Sequence, residues 1–404
     1  MTATSIAPAG TGCMTTPRLC LLAGTAALAL VPTAASAKVR TGPAGTAFYS
    51  PPKHSTAKRH GDPIWARKLT GAAALKPASS NTLVLYRSTD AAGRTDAVSG
   101  TITVPKGRAP KGGWPILTWA HGTTGIADQC APSRDPSGVL SSYVYPDLAR
   151  WLKAGYAVVR TDYQGLGTPG VHGYLIGKDE GRSVLDIVRA ARKLNGHLSR
   201  RVIIAGHSQG GHAALWAAAL APSWTPELKI AGTAAFAPAS HLGEQGRLIT
   251  QLSTPSSITA LAALILRGAD SADPSLHVSS LLSDQAAKLY PLTLSECLPA
   301  LSAVNQFAGI APKDALRSGA NLDPLIAYLN SNDPETLKIT TPVEILQGTA
   351  DTTVFPAFTD QLVTELQGDG ANVTYKKYDG ISHGAVVQAG DTDALAFAKT
   401  ELRR

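Results

Sequence analysis

One short stretch, residues 202–216, limits what this chain can fold into more than any other. Residues 202–205 are a run of Val, Ile and Ala that is typical of a buried parallel strand, and residues 213–220 are rich in helix formers. Residues 206–210 between them read Gly-His-Ser-Gln-Gly. A serine on a sharp strand-to-helix turn needs neighbours without a Cβ atom, because the two elements pass closely there. The pattern predicts that Ser208 is a nucleophile, and the alternative is a glycine-rich structural turn.

A serine hydroxyl is a poor nucleophile at neutral pH, so this prediction requires a base, an acid that orients the base, and donors for an oxyanion. His383 is the candidate base, because it lies in a glycine-flanked loop after a predicted last strand at residues 373–378. The chain has 10 histidines, and two of the others, His207 and His212, flank Ser208. We expect both of these to point away from the site.

The candidate acid is Asp351, in a turn after a predicted strand at residues 343–347. From the carboxyl end of a strand, its carboxylate can accept a hydrogen bond from a histidine Nδ1–H and hold the productive tautomer. Asp360 is the rival, although it falls on the next predicted helix, and a helix cap or an exposed charge is the alternative for either residue. The order Ser208, Asp351, His383 along the chain is the order found in α/β-hydrolases.

The oxyanion hole is predicted from two backbone N–H groups. One belongs to Gln209, the residue after the nucleophile, and the other to the loop at residues 121–125, which follows a predicted strand at residues 115–120. Thr123 is the first candidate for the second donor and Thr124 is the next. The alternative is a plain turn.

From residue 114 onward, predicted strands alternate with predicted helices. Strands are predicted at residues 115–120, 157–162, 202–205, 230–236, 343–347 and 373–378, and helices at residues 147–153, 183–194, 213–220 and 392–402. This alternation predicts a mostly parallel sheet covered by helices on both faces. Together with the order of Ser208, Asp351 and His383, it indicates the α/β-hydrolase fold. Upstream, residues 81–86 and 97–104 predict an antiparallel hairpin.

One region interrupts the alternation. Residues 239–341 are rich in Ala and Leu and hold helical segments without a convincing strand, which predicts a helical cap inserted between two parts of the hydrolase core, residues 81–238 and 342–404. Within it, residues 258–266 are apolar on nearly every side. They either pack inside the cap or form an apolar wall over the site, and packing is the more common outcome for such a helix.

The N-terminus has the pattern of an export signal. Arg18 precedes an apolar run at residues 19–31, and the Ala-Ser-Ala that ends at Ala37 fits a cleavage site, so we expect residues 1–37 to be a signal peptide. Cleavage would release a secreted protein, and the alternative is an uncleaved anchor. Residues 38–80 are polar with scattered proline and glycine, which predicts an N-terminal arm lying on the domain.

Four cysteines are present, and two of them, Cys13 and Cys20, would leave with the signal peptide. The remaining pair, Cys130 and Cys297, predicts one disulfide in an exported chain, and two free buried thiols are the alternative. No histidine stands at metal-ligand spacing beside these cysteines, so no metal site is expected.

The formal net charge of +8 is spread along the chain. The basic clusters at residues 53–59 and 106–111 lie in or beside stretches with proline and glycine and lack interleaved aromatic residues. This pattern indicates solvated surface and not a nucleic-acid interface. Weak attraction to anionic interfaces stays open.

Four motifs carry a resemblance to a known family. They are His121-Gly122-Thr123-Thr124-Gly125 leading to Cys130-Ala131-Pro132-Ser133, Asp162-Tyr163-Gln164-Gly165-Leu166-Gly167, Tyr174-Leu175 followed by the helix from Gly181 to Ala191, and the elbow from Gly206 to Gly210. On these motifs the chain resembles the secretory lipase family of α/β-hydrolases, from about residue 80 to its end. The resemblance implies a triad of Ser208, Asp351 and His383, a cap that controls acyl access, and no cofactor. The His-Gly loop departs from the acidic loop of the fungal members.

The residues by themselves predict a secreted serine hydrolase with a cap. With the family resemblance, the prediction becomes a serine carboxylic-ester hydrolase, a lipase or broad-specificity esterase that cleaves small-molecule or lipid esters through an acyl-enzyme. Transient contact with a lipid interface fits this prediction, and no cofactor, nucleic acid or obligate protein partner is expected. One alternative is a secreted serine aminopeptidase, which would need acidic residues to hold the substrate amine, and the predicted cap holds no acidic cluster. The other is a non-catalytic binding protein on a hydrolase fold, which a missing triad member would favour.

Overall fold

The structure is a computed structural model that describes residue 12 and residues 39–404. Apart from Gly12, the predicted signal peptide with Cys13 and Cys20 lies outside the described residues, and so does the predicted new N-terminus at Lys38. Among the described residues, no helix combines the length and the apolar character that crossing a membrane requires.

The strands of the described chain form one sheet. They are β1 (Pro63–Lys68), β2 (Ser80–Thr89), β3 (Thr95–Val104), β4 (Trp114–Ala120), β5 (Ala157–Thr161), β6 (Leu198–His207), β7 (Lys229–Phe236), β8 (Val343–Gly348) and β9 (Val373–Tyr378). Their order in the sheet is β1-β2-β3-β5-β4-β6-β7-β8-β9. In this order the first three pairs, β1-β2, β2-β3 and β3-β5, are antiparallel. The remaining five pairs, from β5-β4 to β8-β9, are parallel. The predicted hairpin and the mostly parallel sheet of an α/β-hydrolase are confirmed.

The register of the parallel strands brings their carboxyl ends to one edge of the sheet. Ala120 of β4 pairs with Gly206 of β6, and Gly348 of β8 pairs with Tyr378 of β9. The loops that follow β4, β6, β8 and β9 therefore leave the sheet on the same side, which is where α/β folds bind their ligands.

Helices cover both faces of the sheet. They are α1 (Tyr145–Lys153), α2 (Gly177–Leu194), α3 (Gln209–Trp224), α4 (Leu242–Ile249), α5 (Ile258–Ala272), α6 (Asp284–Leu289), α7 (Leu298–Leu301), α8 (Asp323–Asn330), α9 (Pro356–Gly368) and α10 (Val386–Glu401). Successive residues of β6 point to opposite faces. Ile204 joins a buried cluster with Ala214 of α3, whereas Ile203 joins a different cluster with Trp151 of α1. Strand β6 is therefore apolar throughout because it is buried on both sides.

Residues 237–342 connect β7 to β8, and we call them the β7–β8 segment. Helices α4 to α8 lie in it, together with short 3₁₀ helices and an isolated bridge between Leu282 and Leu316. The segment forms an apolar cluster in which Leu264 and Phe307 are almost fully buried. Three residues outside the segment, Ile126, Tyr174 and Leu175, complete this cluster, so the segment buries its apolar surface against itself and against the loops after β4 and β5.

The predicted N-terminal arm contributes more than a covering layer. Its residues 63–68 form β1, the edge strand beside β2, and Thr41 makes a further bridge with Ala66. Trp65 is buried in a cluster with Phe48 and Leu83, and its Nε1–H donates to the carbonyl oxygen of Phe48 at 2.9 Å. The sequence did not predict this strand, because residues 38–80 are largely polar and only a few large side chains hold the strand in place.

Candidate active site

Ser208 stands on the turn between β6 and α3. Its backbone has φ 60° and ψ −118°, a conformation that side-chain-bearing residues rarely adopt. A Cβ atom on Gly206 would lie 2.1 Å from the carbonyl oxygen of Gly210, and one on Gly210 would lie 2.0 Å from the carbonyl oxygen of Ala120. Only glycine fits at both positions, so close contact between the strand and the helix dictates the Gly-x-Ser-x-Gly spacing.

His383 and Asp351 are hydrogen-bonded to each other. His383 lies in the loop between β9 and α10, Asp351 follows β8, and His383 Nδ1 lies 2.7 Å from Asp351 Oδ2. Backbone N–H groups of Thr353 and Val354 donate to the other carboxylate oxygen at 2.8 and 2.9 Å. Burial raises the pKa of Asp351, but these donors and His383 outweigh burial and the net shift of this pKa is downward. An ionised Asp351 therefore holds the proton of His383 on Nδ1 and leaves Nε2 free to accept one.

The rival acid, Asp360, lies elsewhere. It sits on α9, where it accepts a hydrogen bond from the Tyr375 hydroxyl at 2.7 Å and pairs with Lys377 of β9. The structure thus brings Asp351 to His383 and holds Asp360 against the neighbouring strand.

The structure corrects the prediction that His207 points away from the site. His207 Nε2 lies 2.9 Å from the carbonyl oxygen of His383, its Nδ1 lies 2.8 Å from the Tyr143 hydroxyl, and the two imidazole rings are 4.6 Å apart. Burial, and then the charge of His383, lower the pKa of His207 to about 3. A neutral ring has one donor and one acceptor, so Nε2–H donates to the His383 carbonyl oxygen and Nδ1 accepts from Tyr143. The sequence did not predict this role of His207, because its contact with His383 forms only when the β9–α10 loop folds back over the end of β6.

His212, by contrast, does point away. It is buried on α3, where its Nε2 lies 2.7 Å from the carbonyl oxygen of Asn332 and its Nδ1 lies 3.3 Å from Glu180. The predicted orientation of His212 is therefore confirmed.

The two threonine candidates for the oxyanion hole have different surroundings. Thr123 lines the same cavity as Ser208, and its hydroxyl is 2.6 Å from the Tyr174 hydroxyl. Thr124 is not among the residues that line this cavity, and its carbonyl oxygen accepts a hydrogen bond from the Leu298 N–H at 2.9 Å. The surroundings favour Thr123 over Thr124 as the second donor.

Gln209 is the first residue of α3, and its side chain is turned into the protein. The side-chain Nε2 donates to the fully buried carboxylate of Glu180 at 2.7 Å, and the same carboxylate oxygen accepts from the Leu175 N–H at 2.9 Å. Glu180 therefore ties the elbow to the loop before α2. No sequence motif pointed to Glu180, which lies on α2 directly before the residues of the third resemblance motif, Gly181 to Ala191.

A cavity of about 410 Å³ opens beside Ser208 and His383. Most of its wall comes from the β7–β8 segment and is apolar. The apolar wall residues of α5 and α8 are Ile258, Leu261, Ala262, Ala263, Ile265, Leu266, Leu325, Ile326 and Leu329. Helix α5 both packs inside the β7–β8 segment and forms part of the apolar cavity wall. Leu261 and Ile265 line the cavity, while Ala260 and Leu264 are fully buried in the segment.

The predicted disulfide is present. Cys130 and Cys297 are bonded, with their Cα atoms 5.4 Å apart, so the alternative of two free thiols is wrong. The bond joins the chain after β4 to the β7–β8 segment, next to a bridge between Gly125 and Cys297 and the hydrogen bond from Leu298 to Thr124. The candidate oxyanion loop and the cavity wall are thus linked covalently and through the main chain.

Solved structures with the same architecture include one titled a lipase and one titled an esterase. Lipase A of Candida antarctica in its closed state superposes with a TM-score of 0.72 over 87% of this chain and 84% of its own, at 20% identity. The ligand-bound rice cell wall degrading esterase LipA of Xanthomonas oryzae has a TM-score of 0.69 over 85% of this chain and 98% of its own, at 19% identity. At this level of identity the likeness shows the α/β-hydrolase fold alone.

Sequence relatives carry lipase names. Lipase A of Moesziomyces aphidis is 30% identical over 207 residues, which is 48% of this chain and 42% of the relative. A protein of Mycobacterium tuberculosis named probable inactive lipase MT1628 is 28% identical over 73% of this chain and 68% of its own length. This chain therefore spans less than half the length of the fungal relative. The sequence model described as secretory lipase matches residues 137–402, most of the chain including all three candidate triad residues, and the chain belongs to the secretory lipase family.

Proposed function

We propose that this chain is a serine carboxylic-ester hydrolase, a lipase or esterase, with Ser208 as nucleophile, His383 as base and Asp351 as the acid that orients it. The observation that carries the proposal is the 2.7 Å hydrogen bond between His383 and Asp351 in a chain whose elbow serine lines the same cavity as His383. The order of the three residues along the chain is the one expected for this fold.

The reaction follows from these positions. Ser208 Oγ attacks the ester carbonyl carbon while His383 Nε2 takes its proton, and the negative charge on the carbonyl oxygen is held by the N–H groups of Gln209 and Thr123. Collapse of this intermediate breaks the bond to the alcohol, which leaves with the proton from His383. Water then attacks the acyl carbon while His383 takes a proton from it, the bond from this carbon to Ser208 Oγ breaks, and Oγ regains its proton from His383 as the carboxylic acid is released.

The cavity supports an apolar acyl group as the substrate portion that is bound. None of the described residues that line it is Asp, Glu, Lys or Arg. An aminopeptidase would need a carboxylate there to hold the substrate amine, so the lining favours lipid or other acyl esters over peptides. In this proposal the β7–β8 segment, including residues 239–341, is the cap that governs acyl access.

Export is part of the proposal. The family is named for secretory enzymes, and the N-terminal sequence has the pattern of a signal peptide that ends at Ala37. N-terminal sequencing of the protein recovered from culture medium would give Lys38 as the first residue if cleavage takes place there.

The test is hydrolysis of p-nitrophenyl esters of increasing acyl length by the purified protein. Ser208→Ala should abolish turnover, and Ser199→Ala, at the opposite end of β6, should leave it unchanged. Activity on long acyl chains and emulsified triglyceride would indicate a lipase, and activity on short chains alone would indicate an esterase. Peptide p-nitroanilides form a second arm that would reveal an aminopeptidase.

The name of the mycobacterial relative makes an inactive hydrolase fold the second candidate. A fluorophosphonate probe separates the two, because it reacts only with a serine that its base has activated. Labelling of Ser208, located by mass spectrometry and absent in His383→Ala, would support the enzyme. A protein that neither reacts with the probe nor cleaves any ester would contradict the proposal.

A further inference from the structure

A second group of chemically versatile side chains lies outside the candidate active site. Each of His241, Glu335 and Glu365 offers one potential ligand atom within 4.8 Å of the other two. His241 Nε2 and Glu365 Oε2 are 3.0 Å apart. His241 directly precedes α4, Glu335 lies between α8 and β8, and Glu365 lies on α9. Three separate parts of the chain therefore meet at this cluster.

One oxygen atom of the cluster is unsatisfied. Glu335 Oε2 is buried and has no hydrogen-bond partner among residues 39–404. A carboxylate oxygen that loses water on burial is costly unless a donor or a cation replaces the water. The hydrogen bond between His241 and Glu365 leaves this oxygen without compensation, so a simple histidine–glutamate pair does not account for the whole cluster.

The imidazole is oriented for a ligand at Nε2. His241 is buried, its ring stacks near Phe358 of α9 with centroids 5.6 Å apart, and its Nδ1 lies 3.2 Å from the Ser240 hydroxyl. A partner at Nδ1 determines which ring nitrogen is left to bind a metal. Here that nitrogen is Nε2, which faces Glu365. A cation in place of the Nε2 proton would contact both carboxylates and the ring.

We propose that His241, Glu335 and Glu365 bind one divalent transition-metal ion of the Zn²⁺ class. An imidazole nitrogen with two carboxylate oxygens suits Zn²⁺, whereas Ca²⁺ and Mg²⁺ prefer oxygen ligands alone. Two carboxylates also balance the charge of the ion. Donors around one tetrahedral Zn²⁺ lie about 3.3 Å apart, so binding needs only small side-chain movements from the present separations.

The position of the cluster gives the ion a structural role. His241 lies near the start of the β7–β8 segment and Glu335 lies near its end, while α9 packs on the sheet through Leu362 and Leu366. A bound ion would therefore tie both ends of the β7–β8 segment to the sheet side of the protein. This inference does not depend on the proposed function, because it concerns the stability of the chain.

The test is metal binding by the purified protein after treatment with a chelator. Isothermal titration with Zn²⁺ should show one saturable site per chain, and Zn²⁺ should raise the Tm while Ca²⁺ and Mg²⁺ should not. Glu335→Gln should weaken Zn²⁺ binding by about 100-fold, because it removes a direct ligand. Loss of a residue that only hydrogen-bonds to a ligand typically costs about 10–100-fold, so this value is the upper end of that range. His241→Asn should do the same, and asparagine tolerates the backbone φ of 50° at this position.

Asp314→Asn is the matched control, because Asp314 is an exposed carboxylate of the β7–β8 segment outside the cluster and its loss changes the net charge equally. It should leave Zn²⁺ affinity unchanged. Should Glu335→Gln fail to fold, Glu365→Gln replaces it, since the Glu365 side chain is 34% exposed and tolerates change better. The proposal is overturned if the wild-type protein shows no saturable Zn²⁺ binding, or if the folded ligand variants bind Zn²⁺ as tightly as wild type.

Discussion

His207 Nε2 donates a hydrogen bond to the carbonyl oxygen of His383 at 2.9 Å, so the residue before the nucleophile holds the main chain of the candidate base. The base is thereby positioned from two sides, since Asp351 holds its ring and His207 holds its backbone. Tyr143 fixes the His207 ring in turn. Tyr143, His207 and His383 all line the cavity beside Ser208, so this arrangement connects the elbow to the β9–α10 loop within the cavity wall.

If the proposed function is right, removing this hydrogen bond should slow the chemical step more than substrate binding. His207→Phe should lower kcat by about 10–100-fold with little change in KM, because a small misplacement of the base is costly. His207→Gln, whose amide can donate to the same carbonyl oxygen, should recover most of the loss. Equal kcat in the wild type and both variants on a p-nitrophenyl ester would refute this positioning role.

The same histidine should make stability depend on pH. Its ordinary pKa of 6.5 is lowered to about 3 in the folded protein, so between these values the unfolded chain binds the proton and the folded chain does not. The free energy of unfolding should therefore fall as the pH drops below 6.5, by up to about 1.4 kcal/mol per pH unit from this group. Urea titrations between about pH 4 and pH 7 should show a shallower slope for His207→Gln than for wild type. Identical slopes would contradict the prediction.

The disulfide should stabilise both the fold and the site. The bond between Cys130 and Cys297 spans 167 residues, and closing so long a loop restricts the unfolded chain. The double variant Cys130→Ser/Cys297→Ser should lose about 2–5 kcal/mol in the free energy of unfolding, measured by urea titration. Reductant should lower the Tm of the wild type and leave that of the double variant unaltered; a wild-type Tm that does not respond would argue against the prediction.

Acyl-chain preference should depend on α5 if the cavity binds the acyl group. Ala262 lines the cavity, so Ala262→Trp should lower kcat/KM for long-chain esters by about 10-fold or more while acetate and butyrate esters are spared. Ala272→Trp places the same side chain at an exposed position on the same helix, outside the cavity, and should leave the profile unchanged. A uniform loss across all chain lengths in Ala262→Trp would point instead to damaged folding.

Features that rest on neighbouring residues could be predicted from the sequence. The elbow is one, because the need for glycine at positions 206 and 210 is a steric consequence of the turn itself. The order of the candidate nucleophile, acid and base along the chain is another. Apolar periodicity and glycine-marked turns place Asp351 and His383 after successive strands. The catalytic roles of these residues stay predictions that the variants above would test.

Contacts between distant segments were decided by the tertiary structure alone. The sequence could not show that His207 meets the main chain of His383, because that contact depends on how a loop 176 residues away folds back. The choice between Thr123 and Thr124, and the edge strand within residues 38–80, likewise depend on what packs against them.

The cluster of His241, Glu335 and Glu365 shows the same limit most clearly. These residues have no common spacing or motif, and only the crossing of the β7–β8 segment over α9 brings them within 4.8 Å. Local sequence thus determined the elements and the turns, since sterics and hydrophobic periodicity act over a few residues. Packing of those elements determined which side chains meet, because it sums many weak contacts that no single stretch of sequence contains.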